Sequence, residues 1–113
     1  MTRRFAIDVL KLVDGLPTKR SFNILANQLG RSATSVAANY RASCRARSHK
    51  EFIAKIGLVE EEADESVFWL DVIFETCDLN KLEVERLLRE ARELTAIFTA
   101  SSKTAKSNRN ASR

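Results

Sequence analysis

A chain of 113 residues is one small domain's worth, because two domains would each be left too little apolar surface for a core. Hydrophobic residues at 44%, charged residues at 30% and only four Gly and Pro exclude a disordered chain on one side and a many-stranded sandwich or barrel on the other. The net charge of +4 is unevenly laid out: residues 1–50 carry ten Lys or Arg against Asp8 and Asp14, residues 51–98 carry five against thirteen Asp or Glu, and the last fifteen add Lys103, Lys106, Arg109 and Arg113 with no acid.

Every long segment has helical period and none alternates at period two. The spacing predicts a first helix from about Arg3 to Asp14, with Phe5, Val9, Leu12 and Leu16 on one stripe. Gly15 is expected to end it in a left-handed cap, and Pro17 forbids continuation. Thr18 or Ser21 can cap a second helix whose stripe, Phe22, Leu25, Leu29, Ala33, Val36 and Tyr40, carries it to about Arg45. Gly30 inside it suggests a kink or a close helix contact, since an interior Gly costs about 1 kcal/mol against Ala. Ser48-His49-Lys50-Glu51 reads as a capping box that starts a third helix. There Phe52, Ile56, Val59, Ala63, Ser66, Leu70, Ile73 and Cys77 advance in unbroken 4-3 steps with no charge on the seam. Asp78 or Asn80 opens a fourth helix with the stripe Val84, Leu87, Ala91, Leu94 and Phe98.

Short connections force antiparallel neighbours, so the expected fold is an all-α, up-down-up-down four-helix bundle over residues 1–100. Residues 101–113, polar and basic without an apolar face, are expected to be a disordered tail. No apolar run reaches the roughly 18 residues of a membrane span, and no cleavable signal pattern is present, which leads us to expect a cytoplasmic protein.

The search for chemistry gives little. Glu60, Glu61, Glu62, Asp64 and Glu65 resemble a di-metal carboxylate cluster, but such bundle sites need Glu-x-x-His from two helices, and His49 has no Glu three residues before it. Antiparallel counting instead brings Arg31 near Glu65 as an ion pair. Cys44 has cations beside it but no placed base, and Cys44 and Cys77 are too few for a zinc site or a disulfide framework. No phosphate loop or nucleophile elbow appears, so neither an enzyme, a metal nor a cofactor is expected.

Two surfaces exceed a plain bundle. The run from Val67 to Phe74 is apolar nearly all round; Trp69 and Val72 fall off the seam, and Val67, Trp69 and Val72 become candidates for a homo-oligomer interface. The cations Lys19, Arg20, Arg31, Arg41, Arg45, Arg47 and Lys50 form a candidate nucleic-acid-binding set that suits phosphates, without any motif for reading bases. The competing reading is a protein-interaction or assembly module that uses the acidic third helix and the Trp69 patch.

The segment Leu29-Gly30-Arg31-Ser32-Ala33-Thr34-Ser35-Val36-Ala37-Ala38-Asn39-Tyr40, with Arg47 to Ile53 and the acidic patch before Leu70, resembles a bacterial four-helix-bundle family. Its members were first noticed in intervening sequences of large-subunit ribosomal RNA genes, and the match spans most of the chain. It is also similar to the accessory variability determinant of diversity-generating retroelements. The resemblance implies a homo-oligomer, specifically a homopentamer, with RNA or DNA as partner and a reverse transcriptase or another protein as a further one. Where many members carry Asn-Ile-Ala-Glu-Gly, this chain has Asn39-Tyr40-Arg41-Ala42-Ser43, with Arg41 in the acidic place.

Overall fold

The computed structural model of the protein describes residues 1–111. Four helices follow one another: α1 (Thr2–Asp14), α2 (Arg20–Cys44), α3 (His49–Thr76) and α4 (Lys81–Ala111). α1 packs on α2 and α4, α3 packs on α2 and α4, and neither diagonal pair makes close backbone contact among the described residues. This is the antiparallel four-helix bundle, drawn out into a rod of 53 × 20 × 20 Å.

The stripes meet along its axis. Phe5, Val9, Leu29, Ala33, Val36, Val59, Ala63, Leu70, Ile73, Val84, Leu87, Ala91 and Leu94 are buried or nearly so, and Ser66 lies in the same core. Ser32 Oγ and Ser66 Oγ stand 2.9 Å apart where α2 crosses α3. Each hydroxyl also has a carbonyl of its own helix within reach, Leu29 O and Glu62 O respectively; with one proton apiece, one donates across the pair and the other to its carbonyl, so burial leaves neither unsatisfied. Arg86 ties α1 to α4, its guanidinium donating to Asp8 at 3.0 Å and to Glu83 and Glu90 on its own helix. Hydrogen bonds to Glu83 first and Asp8 second push its pKa up, so it stays charged throughout the accessible range.

The helix ends depart from expectation in instructive ways. Gly15 is right-handed, with φ −90° and ψ −3°, and closes α1 by donating to Leu12 O; the left-handed residue is Asn80, with φ 56°, just before α4. Asn tolerates that conformation better than most residues. The N-cap of α2 is Lys19, without a side-chain cap bond, in place of Thr18 or Ser21. Nothing approaches the position a Cβ would take on Gly30, so no close helix contact requires that glycine. Half of the expected capping box forms: Ser48 Oγ accepts from Glu51 N at 3.1 Å, while the Glu51 carboxylate accepts from the Arg47 amide in place of the Ser48 amide. Lys81 reaches back from α4 to Phe74 O and lies 4.1 Å over the Phe74 ring, which occupies a terminal carbonyl of α3.

The expected tail is the largest correction. From Ser101 the chain stays helical to Ala111, with Ser102 and Ala105 buried; the rest of the expected tail, residues 112–113, lies outside the described residues. Phe98, Ser102 and Ala105 continue the α4 stripe in 4-3 steps with small side chains. His49 Nε2 lies 2.9 Å from Ala105 O and ties this extension to the start of α3, which requires the proton to be on Nε2.

Candidate nucleic-acid interface

Antiparallel packing gathers the start of α1, the end of α2, the start of α3 and the end of α4 at one end of the rod. Of the seven cations singled out by sequence, Arg41, Arg45, Arg47 and Lys50 meet there, all exposed. Lys19 and Arg20 begin α2, and 25 residues at about 1.5 Å each place them about 37 Å away at the opposite end. Arg31 is committed to the acidic helix: it bonds Glu62 Oε2 at 3.3 Å and Glu65 Oε1 more closely.

The fold adds cations that the sequence reading passed over. Arg3 and Arg4 open α1, and Lys103 and Lys106 lie on the helical extension of α4, all exposed. None of the eight side chains at this pole has a carboxylate within ion-pair distance among the described residues; Arg31, Arg86 and Arg89 elsewhere have one, but Lys11, Lys19, Arg20, Lys55 and Arg92 do not, so the pole is set apart by the gathering of its cations. The signal available was the Arg3-Arg4 pair in a short first helix: such a helix ends beside the middle of α2, close to Arg41, rather than at the far tip.

A groove of about 710 Å³ runs beside these residues, between the first turn of α1 and the C-terminal half of α2. Ala6, Ala37, Ala38 and Tyr40 supply apolar wall, and Arg3, Arg41 and Arg45 also line it. Cys44 is exposed in the groove and Cys77 is buried at the other end of the rod; both are free thiols. The hydrogen bond between Tyr40 and Cys44, then the charge that Cys44 can carry, then burial, push the Tyr40 phenol above its ordinary pKa.

The candidate interface residues are placed alike, against the core rather than out in solvent. Val67, Trp69 and Val72 are half-buried and pack against the bundle core. Trp69 Nε1 donates to Glu65 Oε1 at 3.1 Å, one acceptor serving both Trp69 and Arg31. The aromatic side chain left outside is Phe68, 57% exposed and edge-on to Trp69 with centroids 4.9 Å apart. Among the described residues no group of His, Cys, Asp or Glu is arranged to hold a metal ion, and no helix is long and apolar enough to cross a membrane.

Residues 1–100 match the family model described as 23S rRNA-intervening sequence protein. The fold is similar to the crystal structure of a protein of unknown function from the S23 ribosomal protein family of Bacteroides thetaiotaomicron: the TM-score is 0.81 and the identity 25%, over 90% of this chain and 94% of that one. No curated protein matches the sequence.

Proposed function

The chain belongs to the 23S rRNA-intervening sequence protein family, and from its basic pole we propose that it is a non-catalytic protein that binds RNA or DNA. Arg41, Arg45, Arg47 and Lys50 contact phosphates, joined by Arg3, Arg4, Lys103 and Lys106. The observation that supports this reading most is that eight exposed cations without ion-pair partners among the described residues gather at that pole. A molecule with this many carboxylates could have neutralised its own cations, as Arg31 and Arg86 are neutralised. Guanidinium and ammonium groups kept in solvent at one end favour a polyanion by charge and by counterion release.

In the same reading the protein acts as a homo-oligomer, a pentamer, that repeats the pole around a ring. Leu58 and Phe68, at 41% and 57% exposure on the outer face of α3, supply apolar surface for that contact. Filter binding of RNA, DNA and an RNA–DNA hybrid at about 50 mM salt tests the proposal, because phosphate contacts are strongest at low ionic strength. Retention of all three is expected; no retention of any would remove it in favour of an assembly module built on the acidic α3 face.

A further inference from the structure

One corner of the bundle stands empty above the first turn of α1. α1 has 13 residues against 25 in α2 and 31 in α4, so the second half of α2 outruns it. The helix face that α1 covers lower down is open along Thr34, Ala37, Ala38 and Arg41, and this is the groove of about 710 Å³. Thr2 lines it, is only 5% exposed, and makes no side-chain hydrogen bond among the described residues. The Thr2 hydroxyl is not sealed from solvent, so it can meet a ligand in the groove; the sealed side-chain oxygen without a partner among the described residues is Ser102 Oγ, in the extension of α4.

Resting on the phosphate-binding reading above, we propose that this groove admits an unstacked base of single-stranded nucleic acid, with its flanking phosphates on Arg3, Arg41 and Arg45. Arg41, in the last turn of α2, and Arg45, its C-cap, lie about one turn or 6 Å apart, so consecutive phosphates of an extended strand can each meet one guanidinium. The base lies against the Ala37 and Ala38 methyls and the Tyr40 ring, within an apolar wall that excludes water from its faces. The Thr2 hydroxyl can both donate and accept, which suits the polar edge of any base and gives little sequence preference. A duplex keeps its bases stacked inside and must extrude one to reach the groove. An acidic helix would satisfy the three rim arginines as well, but the free cations continue beyond the groove to Arg47, Lys50, Lys103 and Lys106, a span that fits a long polyanion better than one carboxylated turn.

The test uses the full chain with a fluorescent oligouridine, the same backbone made abasic, and an RNA duplex, at one salt concentration. Single strand is expected to bind about tenfold more tightly than duplex or abasic strand, the scale of one base-stacking contact. Ala38→Trp, which fills the groove without changing charge, should remove that advantage and leave duplex binding as it was. In the wild type, saturating oligouridine should slow alkylation of Cys44, the exposed thiol of the groove, while Cys77 stays unreactive when folded. Equal affinity for all three probes, with Ala38→Trp unaffected, would overturn the groove and leave the phosphate reading standing. No binding of any probe would overturn both. Protection of Cys44 by an acidic helical peptide but not by oligouridine would overturn it in favour of a protein partner.

Discussion

At the residue scale the centre of the molecule is the point where Ser32 meets Ser66 and Arg31 reaches across to Glu62 and Glu65. Small side chains let α2 and α3 approach, and the ion pair sits at the edge of that contact. Arg31 is 52% exposed, so Arg31→Met should cost no more than about 1 kcal/mol in urea unfolding, whereas Leu70→Ala, fully buried, should cost about 2 to 5 kcal/mol. A loss below about 0.5 kcal/mol for Leu70→Ala would mean that the α3 register is wrong. Tyr40 offers a check on the groove. Its folded pKa lies above the ordinary 10.0, chiefly through Cys44, so the stabilisation from the neutral phenol is complete below that value and is lost as pH rises through the folded one. Absorbance titration of Tyr40, the sole tyrosine, should give a midpoint above 10.0 that falls back in Cys44→Ala; a wild-type midpoint at or below 10.0 contradicts the pairing. The Arg31 to Glu65 pair was legible because antiparallel counting is simple arithmetic. The Glu65 to Trp69 bond was visible as an i, i+4 spacing but not as a contact, since it depends on a ring that leans back toward the helix start.

At the scale of elements, α3 and the first part of α4 were legible because large apolar residues repeat without interruption. Seven of the eight seam positions of α3 are buried, and only Phe52 at its start is half-buried. The end of α4 was not legible for the converse reason. Ser102 and Ala105 hold the stripe with side chains too small to register as apolar, and the cover comes from other elements, His49 among them. Composition therefore reads as a tail where geometry makes a helix. Hydrogen exchange should find the amides of residues 102–106 protected, and Ala105→Asp, which places an unpaired charge in a buried site, should abolish that protection. Exchange at free-chain rates in the wild type would contradict the helical extension. Gly15 and Asn80 show a subtler limit: sequence names the residues that tolerate a left-handed backbone, but the neighbouring packing decides which of them uses it.

For the whole molecule, the bundle and its connectivity followed from four stripes and short loops, whereas the basic pole did not. Lys19, Arg20, Arg31, Arg41 and Arg45 taken along the second helix look like a single face with Arg47 and Lys50, yet α2 is long enough to send Lys19 and Arg20 to the far end, and the shortness of α1 supplies Arg3 in their stead. Self-association belongs to this scale as well. Light scattering should give a multiple of 12.7 kDa at micromolar concentration, and Phe68→Glu should reduce it; a 12.7 kDa monomer in the wild type would remove the ring. The claim on which the functional account turns is that the free cations of the pole contact phosphates, and the salt dependence of binding measures this most directly. Log affinity for single-stranded RNA should fall linearly with log salt, with about −0.7 of slope for each phosphate contact, and Arg41→Gln with Arg45→Gln should weaken binding to every sequence alike and flatten the slope by one to two contacts per engaged subunit. A slope unchanged in the double variant, or affinity insensitive to salt in the wild type, would contradict it.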